Sequence, residues 1–177
     1  MIITTSRYNS VAIWLHWLTA ILIIFMLIFG EDYIRHAKET FGPSLHATIG
    51  VSILVLALLR LVWRFRNPPP ALPNNMKSWE ITLSYFSHWA FYVLLIGLPL
   101  SGMMSFAQEL PKNAVLNGAT IFGVISVPTL PNIAGVGGFV HMAASKVMWA
   151  LLALHVFAAL KHQFWDKDNL LTRMSPH

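Results

Sequence analysis

His141 and His155 stand fourteen residues apart in FVHMAASKVMWALLALHVFAALKHQFW, Phe139 to Trp165, an apolar run that also carries Lys146. On a helix, fourteen residues rise about 21 Å and return to within about 40° of the starting direction. The two imidazoles therefore share one face at two depths. Two more histidines match them in level when the neighbouring apolar runs are read as antiparallel helices. His46 opens LHATIGVSILVLALLRLVW and meets the level of His141, and His16, a turn and a half into VAIWLHWLTAILIIFMLIFG, meets that of His155. Two imidazoles at one level are the ligand set of a bis-histidine haem iron, so four at two levels predict two b haems in a helix bundle. Any one of these histidines also has a plainer reading, a hydrogen-bonded helix contact or a proton relay. Four at two matched depths are harder to explain that way.

The elements that must hold these side chains are membrane spans. The 177 residues suffice for a single domain, residues 1–177, and are 56% hydrophobic and 11% charged, against about 25% charged in soluble domains. Four segments reach the roughly 20 residues a bilayer requires: about 11–30, 45–63, 81–107 and 139–162. The expected fold is an all-α membrane protein, a four-transmembrane-helix bundle. Pro99 and Gly102 mark kink points in the third span. The first run is too long for the apolar region of a signal peptide. EDYIRHAKETFGPS, Glu31 to Ser44, reads as the connection between the first two spans, and RFRNPPPALPNNMK, Arg64 to Lys77, as an extended linker. The stretch from Gln108 to Gly138, rich in Gly and Pro, is too irregular to cross lipid exposed and is expected to lie over one end of the bundle. Eight Lys and Arg collect on the side of the termini and four on the other. The positive-inside rule then places both termini in the cytoplasm.

Composition also excludes. With no cysteine there is no disulfide, thiolate metal site, iron–sulfur cluster or covalently attached haem. The net charge of +5 is explained by membrane topology, with no aromatic-interleaved basic patch for nucleic acid.

Further polar residues sit at informative depths. Arg60, fourteen residues after His46, shares its face at the inner level, where it pairs with a haem propionate or snorkels from the helix end. His88, about two turns into the third span, reaches the inner level and is the alternative to His16 as partner of His155. His162, two turns beyond His155, is a candidate quinone or propionate contact, or else faces the cytoplasmic edge. Lys146 either snorkels outward or supplies a cation beside a haem edge or quinone. Lys112, with Arg35 and Lys38, offers positive charge on the outer side, opposed there by Glu31, Asp32, Glu39 and Glu109. His36 and His177 read as solvated.

The segments AIWLHWLTA, LHATIGVSILVLALLRLVWR, SHWAFYVLLIGLPLSGM, FVHMAASK, LLALHVFAALKHQFW and the tail KDNLLTRM resemble the bacterial cytochrome b561 family over nearly the whole chain. They are most similar to its short di-haem branch, whose activity is superoxide:ubiquinone oxidoreduction in the bacterial inner membrane. The resemblance implies four membrane helices and two b haems, with ligand histidines at His16, His46, His141 and His155. It also implies ubiquinone as electron acceptor and superoxide, or another periplasmic one-electron donor, as substrate. Family relatives that anchor dehydrogenases or hydrogenases keep a second function open, an electron-transfer subunit. A haem-free transporter with a histidine proton relay is the third class.

Overall fold

The computed structural model describes residues 7–35, 39–73, 76–109 and 114–175. Four long helices dominate: α1 (Ser10–Arg35), α2 (Phe41–Arg66), α3 (Ser78–Glu109) and α5 (Gly137–Leu160). Between α3 and α5 come the short α4 (Ala114–Asn117) and an antiparallel hairpin of β1 (Thr120–Ile121) and β2 (Ile125–Ser126). All four long helices are long and apolar enough to cross a membrane, and large apolar side chains such as Trp14, Ile21, Val93 and Phe157 point outward. Bare hydrocarbon on the outside is stable only with lipid as the solvent.

The helices run further than the apolar stretches that announce them. Glu31–Arg35 continues α1 and Phe41–Ser44 opens α2, so the two helices take up nine of the fourteen residues expected to connect them. Polar residues beyond the hydrocarbon still propagate a helix, since its backbone bonds are local. Pro43 sits in the first turn of α2, where a missing N–H costs nothing. α3 continues through Pro99 as one helix. Asn9 starts α1, its Oδ1 accepting the Ala12 N–H at 2.9 Å and the Trp63 indole N–H at 2.9 Å.

α1 packs along α2 and α3 along α5, with α2 joining the two pairs through α3. The core is where these faces meet: Ile23, Ile53, Ala57, Leu95, Leu98 and Met148. The backbones of α1 and α2 lie further from α5 than that of α3 does. Between them runs a slot filled by side chains, on the α5 face that carries His141, Met148 and His155. The first and last described residues lie at one end, where the Tyr8 N–H bonds Arg173 O at 3.2 Å and the Trp17 indole N–H bonds Met174 O at 2.7 Å. The hairpin is at the other end, hereafter the loop end. There the Leu130 N–H bonds Met103 O at 3.4 Å and the Thr120 N–H bonds Ser44 Oγ at 3.0 Å, so the connection is tied to α3 and α2.

Candidate functional site

Two imidazole pairs occupy the slot. Near the loop end the rings of His46 (α2) and His141 (α5) have centroids 6.0 Å apart. Nearer the termini, His16 (α1) and His155 (α5) are 6.3 Å apart. Two imidazoles bound to opposite sides of one metal at about 2.0–2.1 Å place their centroids about 6 Å apart, so both spacings match a shared ion.

The loop-end pair is held by backbone. His46 Nδ1 lies 3.0 Å from Gly30 O and His141 Nδ1 2.8 Å from Leu98 O. Each carbonyl accepts the Nδ1 hydrogen, which fixes the tautomer and leaves the Nε2 lone pair for a metal. Two glycines make the room. A Cβ at Gly102 would come within 3.2 Å of the His141 ring, and one at Gly30 within 3.4 Å of His46. Gly102 therefore acts here by its missing side chain. A Gly102→Val protein is expected to lose haem affinity at the loop-end pair by about 10–100-fold, measured by haem titration. Gly97→Ala, where a Cβ meets nothing within 4 Å, should bind as the unaltered chain does.

The model of the prokaryotic cytochrome b561 family matches residues 7–177. The chain belongs to that family. It is 29% identical over 180 residues to cytochrome b561 homolog 2 of Escherichia coli K12, covering 97% of this chain and 92% of that protein. It is 27% identical to the probable superoxide oxidase CybB of Yersinia pestis, covering 97% of each. To cytochrome b562 of Cereibacter sphaeroides it is 29% identical, covering 94% of each. Membership makes this cytochrome b561 protein a multi-pass bacterial membrane protein of electron transfer, and it implies haem b. The donor set agrees: paired neutral imidazoles, with no thiolate anywhere in the chain.

The pair nearer the termini is more crowded. His155 meets His16, but also His88 at 6.1 Å and Phe91 at 5.1 Å between centroids. His88 Nδ1 donates to Ser84 O, 2.7 Å away on its own helix, which frees its Nε2. Arg60 turns inward rather than out to the helix end. Its guanidinium lies 3.3 Å from His16 Nδ1 and 5.7 Å from the centre of the Tyr92 ring. Arginine only donates, so this contact needs the Nδ1 lone pair of His16 and places the ring hydrogen on Nε2. Metal on His16 Nε2 would move that hydrogen to Nδ1 and turn Arg60 elsewhere.

At the end of the termini, one wide turn gathers the titratable groups. Lys161–Trp165 forms a π turn, in which the Asp166 N–H bonds Lys161 O at 3.1 Å. The wider turn changes the facing of the residues after α5. His162 is buried by it and does not face the edge. His162 Nδ1 lies 2.7 Å from Asp168 and 3.0 Å from Asp166. Lys161 bridges Glu80 at 2.8 Å and Asp166 at 2.5 Å. A cavity of about 160 Å³ opens among Met76, Lys77, Glu80, His162, Asp166 and Asp168. Reading the sequence singled out His162 but none of these acidic partners. The signal available was the KDN of the tail, which contains Asp168.

Lys146 lies on the exposed surface of α5, where Met142 and Trp149 are exposed as well. Lys112, Lys38, His36 and His177 lie outside the described residues, as does the side chain of Arg35.

Proposed function

We propose that this chain is a superoxide:quinone oxidoreductase of the bacterial inner membrane, holding two b haems on His46 with His141 and on His16 with His155. The observation that carries the reading is the pair of iron-sized imidazole spacings at two depths of one slot. Superoxide as donor is supported by the relative named a probable superoxide oxidase. The end of the termini, which carries Arg7, Arg64, Lys77, Lys161 and Lys167, faces the cytoplasm.

Haem b, when bound, would supply reversible one-electron carriage at each pair. Two superoxide anions leave as two oxygen molecules and give up two electrons. A quinone takes those electrons and two protons to become quinol. The protein's own part is to hold and exclude. The carbonyls of Gly30 and Leu98 aim the imidazoles of His46 and His141. The apolar core separates the two levels, about 21 Å apart along α5. His162, with its ring nitrogen on Asp168, is assigned to the quinone headgroup site, beside the cavity lined by Glu80, Asp166 and Asp168. His88 and Arg60 line the approach from His155.

Pulse-generated superoxide should reduce the haem bands, and added ubiquinone should reoxidise them with two superoxide consumed per quinol formed. Haems that ignore superoxide yet accept electrons from a copurifying periplasmic protein would assign the chain to the electron-transfer subunits instead. Asp168→Asn is expected to slow quinol formation about 10²-fold, the scale of a lost proton-transfer group, while haem reduction by superoxide stays at its normal rate. Equal slowing of both half-reactions would remove Asp168 from proton delivery.

A further inference from the structure

From Lys112 to Lys146 the chain contains no Asp, Glu, Lys or Arg between the two lysines, although much of that stretch is the connection from α3 to α5. A connection lying in water rarely lacks charge over such a length. At its centre the β1–β2 hairpin exposes a run of apolar side chains: Phe122 is 60% exposed, Val124 80% and Ile125 56%. The turn closes with the Val124 N–H on Ile121 O at 3.2 Å. Phe122 and Gly123 both adopt positive φ, 53° and 75°, the geometry of a type I′ turn. A bulky residue is disfavoured at positive φ, where Asn, Asp or Gly ordinarily stands. Backbone preference therefore does not account for Phe122.

The hairpin's depth and direction are fixed by two bonds to α2. The Thr120 N–H bonds Ser44 Oγ at 3.0 Å, and the Phe122 N–H bonds Thr48 Oγ1 at 3.0 Å. The strand thus descends one helical turn along α2. At 26 residues, α2 is about 39 Å long against a hydrocarbon thickness of about 30 Å. Centred in the bilayer, it would meet the hydrocarbon boundary about three residues in, near Ser44, with Thr48 below it. Direction follows from the helical wheel. Ser44 and Thr48 share one face, and His46 between them points about 180° away, into the slot toward His141. The hairpin is therefore on the side of α2 that faces away from the histidine slot.

We infer that the β1–β2 hairpin is a membrane anchor, inserting Phe122, Val124 and Ile125 among the lipid headgroups and first acyl carbons beside α2. Lipid is the occupant because the hairpin sits at bilayer depth, turned from the slot, with an uncharged apolar tip and its backbone groups engaged by Ser44 and Thr48. Exposed Phe41 and Phe139 stand at the same end and extend the interfacial aromatic belt. The anchor holds the connection at the flank of α2 instead of leaving it free to swing over the His46–His141 pair.

The chain has no cysteine, so Val124→Cys gives a single labelling site at a side chain that packs against little. The haem-loaded variant, carrying a polarity-sensitive fluorophore, is placed in phosphatidylcholine nanodiscs with and without bromine near the glycerol end of the acyl chains. An unchanged haem spectrum shows that it is folded. The expected result is blue-shifted emission, about a twofold loss of intensity with brominated lipid, as for a group at headgroup depth, and little quenching by iodide. Water-like emission quenched by iodide would overturn the proposal and put the hairpin in the aqueous phase. Disulfide-linked dimers of the unlabelled variant, forming in proportion to the number of chains per disc, would overturn it in favour of a second copy on this face. Ile125→Cys, the neighbouring residue, provides a second reporter that should give the same depth.

Discussion

His155→Ala protein is expected to retain about one haem, against about two expected for the unaltered chain, with the spectrum of the remaining haem little changed. This is the expected result if His46 with His141 and His16 with His155 are separate bis-histidine sites. The two pairs have separate surroundings in the structure. His46 and His141 are tied to the carbonyls of Gly30 and Leu98, whereas His155 is surrounded by His16, His88 and Phe91. A pyridine haemochrome assay on both proteins checks the count. One haem in the unaltered chain, or an unchanged count in His155→Ala, removes the pairing.

The second large effect concerns the partner of His155. His16→Ala is expected to abolish haem binding at that level, and His88→Ala to keep a bis-histidine spectrum. Centroid distance does not separate the two, at 6.3 Å for His16 and 6.1 Å for His88. Hydrogen bonding alone favours His88, whose Nδ1–H is already spent on Ser84 O. Backbone packing favours His16. α3 and α5 lie closely against one another, while the α1 backbone is further from α5, and a bound macrocycle would need that wider spacing. Binding then requires Arg60 to leave His16 Nδ1, so Arg60→Met should still load haem at His16 but without a guanidinium beside it. The two histidine variants are compared by low-temperature visible and electron paramagnetic resonance spectra. Loss of the site in His88→Ala and retention in His16→Ala would transfer the ligand to α3.

The four spans, their lengths to within a few turns and the depths of the histidines were legible in the sequence. All three follow from local rules: lipid demands about 20 apolar residues, and a helix converts residue spacing into rise and facing. The same arithmetic placed His141 and His155 on one face and Arg60 beneath His46. Lateral relations were not legible, because they depend on which helices pack. Only the tertiary structure showed that the α1 backbone lies further from α5 than that of α3 does, the difference on which the proposed choice of His16 over His88 rests. Only it showed the supports of the loop-end pair, since carbonyls such as Gly30 O and Leu98 O have no signature in residue identity. Gly102 suggested a kink when read along the chain, but across it provides space for His141. His162 looked like an edge residue at its sequence position. The π turn buries it, and Asp168 reaches it from six residues further on, a contact that follows from where the chain turns after α5.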